Sequence, residues 1–220
     1  MLNVCPACGL YNAEKTVRAA PELGPWMACA ICPHCGAEHP FLRLPLFSIT
    51  GASGTGKSAL AFWVAARHNH CVHLESDILW GAVPASPEDN YRSYRDTWLR
   101  VCKHIAQAGR PVALYGSVVP EQWEICPERR YHGPIHTLAL VCAPERLEER
   151  LRARPSWRHA GSAEFIDNMQ AFNAWFIEYA NRLDPPMTLL DTTHTSLEKT
   201  GEALLRWINL HWQPEVREAL

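Results

Sequence analysis

The sequence predicts an α/β protein: a five-stranded parallel sheet with helices on both faces, preceded by a small cysteine-rich module. Three observations carry this expectation. From residue 45 onward, short apolar runs alternate with stretches of helical period. The first of those runs, "LPLFSIT", passes through the glycine-rich "GASGTGKSAL" into a helical stretch. Near the N-terminus, "CPACG" at residues 5 to 9 is echoed by "CPHCG" at residues 32 to 36.

The 220 residues leave room for one full domain plus a small module. A hydrophobic share of 47% against 20% charge describes a chain that buries a core and excludes a disordered one. The net charge of −2 gives no bulk attraction to nucleic acid or to an anionic membrane. No apolar run approaches the ~18 residues of a membrane span, and "MLNVCPACGL" lacks the basic and apolar regions of a signal peptide. A cytoplasmic protein is expected.

The front module is taken as residues 1–43. Its two C-P-x-C-G knuckles resemble a zinc ribbon, because each Cys-x-x-Cys turn supplies two thiolates and zinc takes four in a tetrahedron. The expected ligands are Cys5, Cys8, Cys32 and Cys35. Cys29 also sits three residues before Cys32, but "CAIC" lacks the proline and glycine of the knuckles and is read as an unbound thiol; His34 and His39 are weaker alternatives. Four thiolates leave no open position, so the zinc is structural. Through residue 46, Lys15, Arg18 and Arg43 balance Glu14, Glu22 and Glu38, which gives no basic footprint for nucleic acid. The module reads as a folding staple or docking surface; RNA contact through Tyr11, Trp26 or Phe41 has no charge behind it.

The second domain is taken as 44–220. Strands are expected near 45–50, 71–75, 111–116, 135–142 and 187–191. Helical spacing of three and four links Tyr91, Tyr94, Trp98, Val101, Ile105 and Ala108, and again Phe165, Met169, Phe172, Phe176, Tyr179 and Leu183. A last stripe holds Leu197, Leu204, Ile208 and Trp212. Periodicity assigns these aromatics to the core rather than to a binding surface. The lone cysteines Cys71, Cys102, Cys126 and Cys142 read as small core groups.

The loop itself fits G-x-x-x-x-G-K-[ST] in full. Such a loop turns several backbone N–H groups toward one anion, and the helix that follows adds the positive end of its dipole. Gly51, Ser53, Gly54, Thr55, Gly56, Lys57, Ser58 and Ala59 are the expected phosphate contacts. Lys57 is expected to reach the β- and γ-phosphates of ATP, and the Ser58 hydroxyl to ligate Mg2+.

The class of nucleotide protein follows from what surrounds the loop. The chain has no Asn-Lys-x-Asp, no Leu-Ser-Gly-Gly-Gln and no Asp-Glu pair after "PVALYG". "CVHLESDILW" instead places Glu75 and Asp77 where a strand meets the carboxyl edge of the sheet, the edge at which ligands bind. A carboxylate there can accept a hydroxyl proton or help hold magnesium; the competing role for Asp77 is a helix N-cap. In "APERLEERLRARPSWR", Arg146, Arg150 and Arg154 step by four along one helical row that Pro155 ends, with Arg158 beyond it. Such a row is either a solvated ion-pair face or a clamp on transferring phosphate.

Taken together, "GASGTGKS", Asp77, "RLRARPSWR" and "LLDTTHTSLEKTGEALLRWI" make residues 45 to 212 resemble the small P-loop kinases. That family includes nucleoside and nucleotide kinases, shikimate kinase, gluconate kinase and chloramphenicol phosphotransferase. The resemblance implies a kinase-like three-layer sandwich and ATP-dependent phosphorylation of a hydroxyl on a small molecule, such as a nucleoside. By position it makes Lys57 and Asp77 catalytic, with Asp77 the general base. It makes Arg150, Arg154 and Arg158 arginines of a lid spanning about 146–163, and places Asp191, Thr192 and Thr193 beside adenine. Two features depart from the family. The third strand ends in Gly116-Ser117 without an acidic residue, and the zinc ribbon is no standard part. "YGSVVPEQWEICPERRY" matches no acceptor motif; Glu121, Gln122, Arg129 and Arg130 are its candidate acceptor contacts. The rival readings are a nucleotide-dependent regulatory protein whose ribbon docks a protein or RNA partner, and a kinase acting on a nucleic-acid end.

Overall fold

The computed structural model describes residues 2–12, 14–158 and 160–212; the side chain of Arg158, one of the expected lid arginines, lies outside the described residues. The chain runs β1 (Thr16–Ala19), β2 (Met27–Ile31), β3 (Glu38–Leu42), β4 (Leu46–Thr50), α1 (Lys57–Ala65), β5 (Val72–Glu75) and α2 (Arg92–Ala106). It continues through β6 (Val112–Tyr115), α3 (Glu121–Glu124), β7 (Ile135–Val141), α4 (Pro144–Arg152), α5 (Ala163–Tyr179), β8 (Thr188–Asp191) and α6 (Leu197–His211).

β4 to β8 form a five-stranded parallel sheet in the order β5-β6-β4-β7-β8. Each strand lies within the run expected for it. β4 is buried at every position, as a central strand covered on both faces must be. Its alternate residues serve two cores. Phe47 and Ile49 pack with Leu60 and Val64 of α1 and Leu204 and Ile208 of α6. Leu46 packs on the other face with Trp98, Leu99 and Cys102 of α2. On that second face α5 covers β7 through Phe176 against Ala139 and Val141. This is the three-layer P-loop kinase-like sandwich. The four lone cysteines are all buried thiols, as core packing requires.

The helical stripes end slightly short of expectation. Ala108, Leu183 and Trp212 fall beyond the ends of α2, α5 and α6. α4 stops at Arg152, so Arg154 does not extend the arginine row. Pro155 disfavours helical backbone in the residue before it, and the helix is already lost by Arg154.

β1, β2 and β3 form a separate antiparallel sheet that carries the N-terminal cysteines. Its seam with the main sheet is both apolar and charged. Trp26 meets Trp212 at 5.5 Å between ring centroids, and Phe41 meets Tyr131 at 5.8 Å. Gln107 exchanges two 3.0 Å hydrogen bonds with the backbone of Leu42. Beneath them the ammonium of Lys103, on α2, donates to Asn3 Oδ1 at 2.9 Å and to Glu128 Oε2 at 2.5 Å. Both charged side chains are essentially inaccessible, at 0% and 2% exposure. Of the three aromatics considered for RNA contact, Trp26 and Phe41 are therefore spent on packing, and Tyr11 alone is exposed. No described helix is long and apolar enough to cross a membrane.

Candidate active site and metal centre

At the carboxyl edge of β4, β5 and β6 opens a cleft of about 1070 Å³, between the loop after β4 and the helices α2 and α5. The loop is held close to the sheet. Gly51 has φ 136, and a Cβ there would stand 2.4 Å from the Leu140 carbonyl oxygen, so only glycine fits. Ser117 Oγ donates to the Gly51 carbonyl at 3.1 Å, giving the Gly116-Ser117 strand end a bracing task in place of an acidic one. Lys57 opens α1, and its Nζ donates to the carbonyls of Gly51 at 2.6 Å and Ala52 at 3.0 Å. Burial in the cleft floor pushes this ammonium down to about 8, against the pull of the Asp77 carboxylate. A cation resting only on neutral carbonyls is primed for an incoming anion. Ser53, Gly54, Gly56, Ser58 and Ala59 also line the cleft, whereas Thr55 is buried behind it, its hydroxyl donating to Ala52.

Asp77 follows β5 in a single 3-10 turn, Ser76–Leu79, and faces the cleft with Glu75. It is not a cap: the N-cap position falls on Glu75, and no side-chain bond closes the turn. The turn is pinned from α2, where the Tyr94 hydroxyl donates to the Ser76 carbonyl.

The arginines divide into two groups. Arg146 pairs with Glu149, and Arg152 with Glu148 at 2.8 Å, on the exposed side of α4. Arg150 and Arg154 line the cleft. Arg150 is also clasped to the loop after β8, donating to Thr192 Oγ1 at 3.0 Å and to its carbonyl at 2.7 Å. Thr192 is buried and donates onward to the Thr55 carbonyl at 3.0 Å, joining that loop to the glycine-rich loop. Asp191 accepts from the hydroxyl and the amide of Thr193, and these bonds hold its carboxyl below the usual range. Thr193 borders a second groove of about 630 Å³ shared with Arg146, Arg150 and His194.

Of the candidate acceptor contacts, only Gln122 lines the cleft. Arg129 donates to the carbonyls of His132 and Gly133, Arg130 to that of Pro127, and Glu121 is exposed outside it. The larger part of the remaining cleft wall consists of residues that periodicity assigns to the core. Tyr91, Tyr94 and Trp98 line one side, Phe165, Met169 and Phe172 the other, together with Trp80, Arg95 and Trp123. The signal that marked them is Arg95, a cation placed within the aromatic stripe of α2.

The second site lies beside the N-terminal sheet, between the segment before β1 and the turn from β2 to β3. The thiols of Cys5, Cys8, Cys32 and Cys35 all lie within 4.8 Å of one another. Cys5 and Cys35 are 3.7 Å apart and Cys8 and Cys32 are 3.8 Å apart. A tetrahedron with metal–sulfur bonds of ~2.3 Å has edges of ~3.8 Å, so the cluster has the dimensions zinc requires. Gly9 and Gly36, each at the tail of a knuckle, take positive φ of 75 and 72. Cys29 lies apart in β2, opposite Pro40, with burial pushing its thiol up. His39 is not among the four but approaches Cys5 Sγ at 3.3 Å, the position of an outer partner.

No family model matches the chain, and no curated protein is significantly similar to it in sequence. Solved structures do resemble its fold. A sugar kinase from Janibacter sp. superposes with a TM-score of 0.53 and 19% identity, over 79% of this chain and 97% of that one. A gluconokinase from Sinorhizobium meliloti gives 0.53 and 17%, over 76% and 93%. The APS kinase of Mycobacterium tuberculosis, solved with AMPPNP and APS, gives 0.52 and 17%, over 76% and 97%. At these identities the likeness concerns the fold.

Proposed function

We propose that the chain is an ATP- and magnesium-dependent phosphotransferase that moves a γ-phosphoryl group to a hydroxyl of a small molecule. The observation that carries the reading is the cleft: one cavity holds Lys57, Asp77, Arg150 and Arg154 between the glycine loop and an aromatic wall. That the chain superposes on a sugar kinase, a gluconokinase and an APS kinase supports it. In this reading residues 1–43 form the ribbon and 44–220 the catalytic domain, whose residues from 213 onward lie outside the described ones. Residues 146–163 form the lid segment, with α4 up to Arg152 as its fixed base.

The loop amides and Lys57 hold the β- and γ-phosphates, and the first turn of α1 presents Ser58 as a magnesium ligand. Magnesium, bound with the nucleotide, would neutralise charge on the phosphate oxygens. The Asp191–Thr193 loop and the adjoining groove border the adenine. As the acceptor oxygen bonds to phosphorus, the bond from phosphorus to the β–γ bridging oxygen breaks, and Asp77 takes the hydroxyl proton. Arg150, Arg154 and Arg158 meet the charge spread over the equatorial oxygens.

The discriminating experiment is the kinetics of Asp77→Asn. Loss of the base is expected to lower kcat by about 10²–10⁴-fold with the KM for ATP held within about twofold. Equal loss in kcat and in ATP affinity counts against the assignment. Tight ATP binding with no turnover on any alcohol favours the regulatory reading instead.

We further propose that the four-thiolate cluster holds one structural zinc. The purified chain is expected to release one zinc per molecule to a colorimetric chelator. Stripping the metal should lower stability by at least about 2 kcal/mol, roughly 5 °C in Tm for a chain of this size. Zinc far below one per chain, or a Tm indifferent to chelation, refutes the site.

A further inference from the structure

The acceptor side of the cleft is more selective than a generic alcohol requires. Trp80 follows the Asp77 turn and leaves 60% of its surface exposed, although its ring centroid stands 5.8 Å from that of Tyr91 and 5.4 Å from that of Tyr94. Asn90 and Tyr91 take successive positive φ angles of 50 and 57. That conformation is unfavourable for a bulky aromatic residue and marks sites where the backbone is constrained to place a side chain. One turn into α2, Arg95 is only 4% exposed. Its Nε donates to the Gln122 carbonyl at 3.1 Å, and its Nη2 has no hydrogen-bond partner. No ion pair joins Arg95 to a carboxylate among the described residues. A buried cation without a counter-charge is costly, and a ligand anion removes that cost.

We propose that the acceptor is an aromatic or heteroaromatic alcohol that also carries an anionic group. Its ring lies against Trp80, Tyr91 and Tyr94, its anion faces Arg95, and its hydroxyl reaches Asp77. Trp80 and Asp77 leave the same turn, and Tyr94 ties that turn to α2, so ring recognition and proton acceptance share one frame. The assignment rests on the phosphotransferase reading above for the identity of the ligand as acceptor.

Three probes separate the features: 3-(hydroxymethyl)benzoate carries ring and charge, benzyl alcohol the ring alone, and gluconate the charge without a ring. Calorimetric titration of the full chain is expected to show the first bound at least tenfold more tightly than either other. Trp80→Ala should abolish the preference over gluconate and Arg95→Gln the preference over benzyl alcohol, while each variant stays folded and binds ATP as the parent does; Arg95→Lys should restore part of the second preference. Gluconate bound as tightly as the aromatic acid, or the aromatic acid bound by both variants as tightly as by the parent, overturns the proposal. Transfer of labelled phosphate to the same probes tests the parent reading separately. Transfer to gluconate without aromatic preference overturns the acceptor class and leaves the phosphotransferase. Selective binding of the aromatic acid with transfer to none of the three upholds the subsite and counts against the phosphotransferase.

Discussion

Lys57→Ala is expected to cut phosphoryl-transfer turnover by about two to three orders of magnitude while the chain stays folded. The ammonium contacts only the carbonyls of Gly51 and Ala52, so its removal breaks no ion pair that holds the cleft together. What it removes is the charge that compensates the oxygens of the transferring group, an interaction that strengthens as the reaction proceeds. Turnover and Tm measured on the same preparation provide the check. A Tm that falls with activity makes Lys57 a structural prop of the loop. Unchanged turnover removes the loop from the chemistry.

The second large effect is on stability. Glu128→Gln should destabilise the chain by about 3–5 kcal/mol, because it leaves the Lys103 ammonium buried without its counter-charge. For a chain of this length that is roughly 10 °C in Tm. Burial already holds the Lys103 ammonium below its ordinary value, with Glu128 opposing that displacement. Without Glu128 the displacement grows. Between the lowered folded value and the ordinary unfolded one the unfolded chain binds more protons, so stability rises with pH in that window. The variant should therefore recover part of its loss in alkaline buffer, more than the parent gains there. Replacing both partners, Lys103→Met with Glu128→Leu, should restore much of the Tm. A single variant as stable as the parent refutes the account of this seam.

The strands of the main sheet were legible because a parallel sheet covered on both faces needs short apolar runs and little else. The glycine-rich turn after β4 and the cysteine knuckles were legible because each fixes residue types at fixed spacings. The aromatic wall of the cleft was not. A side chain facing a closed cleft and one facing the core obey the same helical period, so Tyr94 and Trp98 read alike although only the structure opens a cavity beside them. Arg154 was drawn into a helical row that stops two residues before it. The pairing of Lys103 with Glu128 spans 25 positions and joins a helix to a distant turn, which no local pattern records.

The clasp between Arg150 and Thr192 has a consequence for motion. It anchors the middle of α4 to the strand-end loop, and Leu147 and Leu151, both fully buried, nail the same helix to the molecule. If the proposed lid closes over a nucleotide, the moving part would therefore have to lie beyond Arg152, where the helix has already ended. In that proposal Arg154 would move with the lid, and Arg150 would stay with the frame to which Thr192 ties it.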